Sequence, residues 1–174
     1  QLAHAGRKAS SATPWDGGQL LSVEKGGWET VAPSAIPQLK DERLPHELSK
    51  SELLELIDAF VVAAQRSERV GVDGIELHGA HGYLLHQFLS PIANQRTDEY
   101  GENLAKFGIE VIQAVKSVMP DEMPLIMRIS KLSFGITLLV FFPAIIYAGN
   151  ILSLVNHDQA FLALAIPVLR IVSI

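Results

Sequence analysis

The chain has 174 residues, and its 48% hydrophobic and 19% charged content fits a domain with a buried core and excludes a disordered tail. A formal net charge of −5 repels phosphate backbones, so no nucleic-acid partner is expected. The absence of cysteine excludes disulfide frameworks, thiolate nucleophiles and cysteine-based zinc sites.

The first residues contain no initiator methionine and no apolar run, so we interpret residues 1–8 as the interior of a longer chain and not as a signal peptide. A short strand is predicted at Gln1 and Leu2. Residues 9–47 are rich in Gly, Pro, Ser and Asp, which predicts a long loop with at most short structured pieces.

Helices and strands then alternate up to residue 130. Ser49 or Ser51 is a suitable N-cap for a first helix that ends before Gly71. Its apolar residues recur at helical spacing: Leu53, Leu56, Ile57, Phe60, Val61 and Ala64. The predicted elements that follow are a strand (74–77), a helical turn (82–89), a polar loop (91–101), a second amphipathic helix (103–118) and a buried strand (124–130).

This alternation predicts an α/β protein with a parallel sheet, either a barrel or an open doubly wound sheet. Polar residues follow or end the predicted strands, and in a barrel those strand ends meet on one face. An open nucleotide-binding sheet would favour a G-x-G-x-x-G motif after a strand, and no such motif follows any predicted strand here. We therefore predict a partial (β/α)8 TIM barrel over residues 1–130, comprising strands three to five.

The last segment, residues 131–174, differs in composition. No Asp, Glu, Lys or Arg occurs from Leu132 to His157, a stretch longer than the roughly 20 residues that span a bilayer as a helix. We predict an apolar helical tail, with membrane contact through residues 132–155 as one hypothesis. The other is a frameshift or fusion product foreign to residues 1–130.

Four stretches carry a resemblance to a known family: QLAHAGRK (1–8), WETVAPSAI (28–36), GVDGIELHGAHGYLLHQFLSP (71–91) and NQRTDEYG (94–101). Together they resemble the Old Yellow Enzyme family of FMN-dependent oxidoreductases, in its xenobiotic-reductase-like branch. The resemblance covers residues 1–130.

The resemblance implies an FMN enzyme that takes hydride from NADPH or NADH and reduces the activated C=C bond of a small enone or nitro compound. By this likeness, Gln1 and Arg128 contact the flavin ring. His78 and His81 bind the substrate oxygen, with His78 also at the flavin, and Tyr83 protonates the substrate. It further implies a cytoplasmic protein, and family members are often homo-oligomeric.

From the residues alone, other interpretations stay open. An H-x-x-H pair is more often structural than catalytic, and Glu76, His78 and His81 together could be considered as a metal site. No further acidic or histidine ligand follows at a strand end, which argues against a metal. Tyr83 alone suits packing and Arg128 a buried ion pair. Loop or packing roles are expected for His4, Arg7 and His86.

The chain also departs from the family pattern. The loop after Gly101 is shorter than in the family, and Leu104 replaces an arginine. The first two strands and the phosphate-binding strands of the family are not recognisable. We therefore expect that this polypeptide alone neither closes a barrel nor retains FMN. The alternative to an enzyme is a non-catalytic relic or a membrane-anchored fragment without flavin.

Overall fold

The computed structural model describes residues 1–129. The predicted tail, 131–174, with its expected helix and its membrane contact through 132–155, lies outside the described residues, as does Ser130. Within residues 1–129, no helix has the length and apolar character needed to cross a membrane.

Helix α1, Lys50–Arg69, begins at a capping box. The Ser49 hydroxyl accepts a hydrogen bond from the backbone N–H of Glu52, and the Glu52 carboxylate accepts one from the backbone N–H of Ser49 at 2.7 Å. This reciprocal pair satisfies two N–H groups that the first turn leaves without partners. Ser49 is thus the N-cap. The buried positions are Leu53, Ile57, Phe60 and Ala64.

The main sheet is parallel. Strands β3 (Ile75–Gly79) and β4 (Leu125–Ile129) pair in register along their whole length. On the other edge of β3, Leu2 forms a parallel bridge with Leu77, where a first strand was predicted. Strand β3 runs two residues further than predicted, because its pairing with β4 continues through His78 and Gly79.

Helices connect these strands and cover one face of the sheet. Helix α1 precedes β3, and helices α2 (Leu84–Leu89) and α4 (Lys106–Lys116) lie between β3 and β4. The core joins the helices to alternate residues of β3, and its best-buried members include Leu53, Leu77, Phe88, Phe107, Val111 and Val115. Parallel strands joined by packed helices confirm the α/β prediction.

The 9–47 segment is a long loop with short structured pieces, as predicted, and these include two paired two-residue strands, β1 (Val31–Ala32) and β2 (His46–Glu47). Two further elements differ from the prediction. The polar loop 91–101 ends in a short helix, α3 (Glu99–Glu102), capped by the Asp98 side chain. Helix α4 starts at Lys106 and not at residue 103, because Asn103 is extended with φ −118° and ψ 94°.

Arg96 ties the loops on either side of α1 and α2 together. Its guanidinium donates to both oxygens of Asp98, and also to the carbonyls of Leu48 at 2.5 Å and Pro33 at 3.1 Å. Only 7% of the side chain is exposed. The hydrogen-bonded Asp98 carboxylate raises the pKa of Arg96, and the guanidinium in turn lowers the pKa of Asp98. The pair is therefore charged throughout the physiological range.

Candidate active site

The site is built around His78, near the carboxyl end of β3. The residue is 4% exposed and lies on the face of β3 opposite to Leu77, which packs in the core. Its Nε2 lies 3.2 Å from Nδ1 of His81. Its Nδ1 is buried and has no hydrogen-bond partner among the described residues. A buried polar atom in this state is costly, and an incoming ligand group would relieve that cost.

A left-handed turn after β3 brings two further predicted residues to His78. His81 has φ 55° and Gly82 has φ 72°. The ring of His81 then lies 4.9 Å from that of His78, centroid to centroid, and the Tyr83 ring lies 5.1 Å away at an angle of 83°. We call His78, His81 and Tyr83 the His–Tyr cluster.

The surroundings favour a neutral His78. Burial lowers the pKa of this imidazole most, and the electrostatic interactions with His81 and Arg128 lower the pKa further, whereas that with Glu76 raises it. A neutral imidazole has one N–H donor and one acceptor nitrogen. It can therefore donate a hydrogen bond to an oxygen without carrying a full charge into the site.

Gln1 and Arg128 flank β3 on its two sides. The backbone of Leu2 bonds to Glu76 and His78, and the Gln1 side-chain amide donates to the Glu76 carboxylate. Arg128 is the register partner of His78 on β4. Directly paired residues of neighbouring strands project to the same face. An amide, a carboxylate, an imidazole and a guanidinium thus line one face of the sheet.

Residues of the 1–8 stretch and of α2 surround the turn. Lys8 donates to the carbonyl of His81 at 2.8 Å, His86 accepts from the N–H of Gly82 at 2.8 Å, and Gln87 donates to the carbonyl of Gly82 at 2.7 Å. A loop or packing role was predicted for His86, whereas Lys8 and Gln87 were not predicted to contribute to the site. The available signal was the position of His86 four residues after Gly82, in the first turn of a helix.

His4 and Arg7 contact the loops instead. Nδ1 of His4 accepts from the N–H of Gly6 at 3.0 Å, and Arg7 donates to the carbonyl of Ile36 at 3.1 Å.

Within residues 1–129, no group of three His, Asp or Glu side chains is close enough to hold a metal ion, the set of Glu76, His78 and His81 included.

One cavity among the described residues lies away from the His–Tyr cluster. Its volume is about 490 Å³, and residues 19–22 and 39–43 line it. A second cavity, of about 120 Å³, lies between residues 2–4 and α1. His78, His81 and Tyr83 line neither of these cavities.

Comparison with known proteins identifies the family. The model of the NADH:flavin oxidoreductase / NADH oxidase family matches residues 1–161. This match includes part of the segment 131–174, whose separation from residues 1–130 stays a prediction. An NADH:flavin oxidoreductase of Gibberella zeae is 47% identical over 137 residues, covering 75% of this chain and 33% of the relative.

Bacterial NADPH dehydrogenases match this chain to a similar extent. The NADPH dehydrogenase of Clostridium acetobutylicum is 46% identical over 133 residues, covering 75% of this chain and 35% of that protein. The NADPH dehydrogenase of Bacillus cytotoxicus is 49% identical over 133 residues, covering 75% of this chain and 34% of that protein. The chain thus spans about a third of the length of the curated relatives that it matches.

Solved structures give the same result. A 2-naphthoyl-CoA reductase in complex with 2-naphthoyl-CoA is similar with a TM-score of 0.58 and 32% identity, covering 74% of this chain and 20% of that chain. Morphinone reductase in complex with tetrahydroNAD has a TM-score of 0.53 and 34% identity, covering 60% of this chain and 33% of that chain. The chain belongs to the NADH:flavin oxidoreductase / NADH oxidase family, the Old Yellow Enzyme family of FMN-dependent NAD(P)H oxidoreductases.

Proposed function

We propose that this chain carries the substrate-facing part of an FMN-dependent oxidoreductase that uses NADPH or NADH to reduce the activated C=C bond of an α,β-unsaturated carbonyl or nitro compound. The described strands would be strands three to five of a (β/α)8 barrel. The observation that carries the proposal is the His–Tyr cluster, which brings two imidazoles and a phenol together. The ring centroid of His78 lies 4.9 Å from that of His81 and 5.1 Å from that of Tyr83.

The two histidines would bind the oxygen of the acceptor. The lowered pKa of His78 favours the neutral ring, and its buried Nδ1 lacks a partner among the described residues. Hydrogen bonds from imidazole to a carbonyl or nitro oxygen draw electron density away from the conjugated C=C bond. His78 and His81 would in this way make the β-carbon of the substrate electrophilic.

Tyr83 would supply the proton. Its ring stands edge-on to His78, and the residue is half-buried. A phenol held beside the bound acceptor can donate its proton to the α-carbon as the C=C bond is reduced. The phenol then regains a proton from water, which leaves Tyr83 unchanged over the cycle.

The side chains beside the cluster would suit the chemistry of the FMN ring. When bound, FMN would accept hydride from the nicotinamide and pass it to the β-carbon of the substrate. The Gln1 amide, oriented by Glu76, offers an acceptor and a second N–H to the pyrimidine edge. Arg128 places a fixed positive charge next to His78, where it would stabilise negative charge on a reduced ring. The proposal assigns no described residue to the phosphate.

The test is an assay of the purified chain with FMN in excess, NADPH and a cyclic enone under anaerobic conditions. We expect enone reduction faster than with free FMN alone. Replacing both histidines by alanine should mainly raise KM. Tyr83→Phe should lower kcat by about 100-fold, in the range typical of general-acid catalysis. No rate above free FMN would contradict the proposal.

The competing function, a relic or a membrane-anchored fragment, makes a separate prediction. A flavin titration followed by FMN fluorescence would then show no saturable quenching at any FMN concentration. We expect a colourless protein after purification without added flavin, as the sequence predicts, and saturable quenching when FMN is restored. Loss of quenching in Arg128→Met, with Arg69→Met on the exposed end of α1 as control, would locate the binding to this face.

A further inference from the structure

We propose that Lys8, His86 and Gln87 are positioning residues for the His–Tyr cluster, because they hold the left-handed turn at residues 81–82 that carries it. The chemistry of the cluster rests on the proposed function. The contacts that hold the turn do not, so the two can be tested separately.

The turn has an unusual backbone that needs support. Within residues 1–129, only Ser10 and His81 are non-glycine residues with positive φ. A side chain in this region crowds the following carbonyl, so residues other than glycine rarely adopt it. Such conformations persist where the surrounding structure fixes them. At His81 the strained backbone directs the ring to His78.

Three consecutive polar groups of this backbone are held by side chains. The His81 carbonyl accepts from Nζ of Lys8, the Gly82 N–H donates to Nδ1 of His86, and the Gly82 carbonyl accepts from Nε2 of Gln87, at 2.8, 2.8 and 2.7 Å. A turn whose successive groups are each fixed by a different side chain has little freedom to relax. The Lys8 side chain also lies against Gly82, where a Cβ would be 3.0 Å from its Cε.

His86 accepts a backbone hydrogen bond in a way that is similar to the capping box, but shifted by one residue. It is the third residue of α2, and its side chain reaches back to the backbone before the N-cap, Tyr83. Tyr83 makes no side-chain capping bond of its own. The bond requires an unprotonated Nδ1, so a neutral His86 holds the turn and the start of α2 in one unit.

Gln87 connects this unit to the 1–8 stretch. The residue is 1% exposed, and its amide donates to the carbonyl of Ala5 at 3.2 Å and accepts from the N–H of Arg7 at 3.4 Å. Gly6 packs directly on it: a Cβ at Gly6 would lie 2.5 Å from Oε1 of Gln87. Lys8 follows in the same stretch. The turn is therefore held against residues 5–8 from two sides.

The functional consequence is geometric. His81 and Tyr83 precede and follow Gly82, so a relaxed turn would move both relative to His78, which is fixed in β3. A displacement of about 1 Å between catalytic groups and substrate can cost on the order of 100-fold in rate. Lys8, His86 and Gln87 would act through the cluster without touching the substrate.

The experiment compares His86→Leu with His86→Asn. The two new side chains have the same branched shape, but only asparagine can accept the hydrogen bond from Gly82. We expect His86→Leu to lower kcat for enone reduction by about tenfold or more, with FMN binding unchanged, and His86→Asn to recover most of that loss. Equal kcat values in the two variants would overturn the proposal.

A readout without flavin separates this inference from the proposed function. In the chain alone, amide exchange of Gly82 should be at least about tenfold faster in His86→Leu than in wild type, and the His81 and Tyr83 ring resonances should shift. His86→Asn should stay close to wild type. If these signals behave so and no enone is reduced, the proposed function fails and the inference about the turn survives.

A second pair keeps the test decisive if His86→Leu does not fold. Lys8 is partly exposed, so Lys8→Met removes the bond to His81 with little risk to the core, and Lys8→Arg retains a donor. Lys25→Met, in another turn, is the matched control. We expect shifted His81 resonances in Lys8→Met only. Unchanged resonances there would overturn the inference.

Discussion

Gly82 is a tight, left-handed backbone position within the turn that carries the His–Tyr cluster. Its φ of +72° is strained for any other residue, and an added Cβ would meet Lys8 at 3.0 Å. The sequence marks this glycine only as part of a family motif. The contact with Lys8 joins residues 74 positions apart in the chain, and no local pattern predicts it.

Gly82→Ala and Gly71→Ala form a matched pair that separates strain from contact. Both glycines have positive φ, +72° and +76°, but nothing lies within 4 Å of a Cβ at Gly71. We expect each variant to lower the free energy of unfolding by about 1–2 kcal/mol. Only Gly82→Ala should also lower kcat, because Lys8 must leave the His81 carbonyl. Urea unfolding and the enone assay measure the two effects, and equal kcat values would contradict this reading.

The lowered pKa of His78 predicts an acid-sensitive fold. The pKa of His78 is below the ordinary 6.5 in the folded chain, so the unfolded chain binds its proton first as the pH falls. The stability that a neutral His78 contributes is present above pH 6.5 and is lost as the pH falls through the folded pKa. The free energy of unfolding should drop between pH 7.5 and 5.5 in wild type, and less in His78→Gln. Identical slopes would contradict the prediction.

At the scale of elements, α1 shows how far sequence alone can predict this fold. Its cap, its apolar spacing and its end before Gly71 are all local signals, and the structure confirms them. Helix α3 was missed because it has only four residues and hence no periodicity. Its cap, Asp98, is held by Arg96, whose other contacts come from Pro33 and Leu48, far away in sequence.

The capping box of α1 can be tested by a single hydroxyl. Ser49→Ala removes the acceptor for the Glu52 N–H and should lower the free energy of unfolding by about 1 kcal/mol. Ser67→Ala is the control, because the Ser67 hydroxyl bonds to the Ala63 carbonyl one turn earlier in the same helix. That bond adds little to helix stability. A Ser49 effect no larger than the Ser67 effect would exclude the capping box as a source of stability.

At the scale of the whole molecule, the Arg96 side chain connects loops that are far apart in the sequence. Its planar guanidinium satisfies Asp98 and two carbonyls at once, which an ammonium group cannot do in the same geometry. Arg96→Lys should therefore cost roughly 2 kcal/mol in unfolding free energy. Arg69→Lys, at the exposed end of α1, should cost almost nothing. Equal effects in thermal or urea unfolding would contradict this role.

The fold and the candidate site of the chain were predictable only in part. The α/β class follows from alternating local patterns, whereas the site residues followed from the family resemblance. Spacing alone left the two histidines as structural or metal-binding candidates. Parallel pairing across β3 then places Gln1, Glu76 and Arg128 beside the cluster, a juxtaposition that depends on strand register and not on sequence distance.

The most direct test of the proposed function is a single-turnover measurement of enone reduction by the chain after FMN loading and anaerobic reduction with NADPH. The rate constant is recorded against enone concentration for wild type, His78→Ala/His81→Ala and Tyr83→Phe, with free reduced FMN as the blank. We predict a saturating dependence in wild type, a loss of saturation in the double histidine variant, and an unchanged half-saturation with a limiting rate about 100-fold lower in Tyr83→Phe. Curves for all three proteins that coincide with the free FMN blank would contradict the assignment of this cluster as the reducing site.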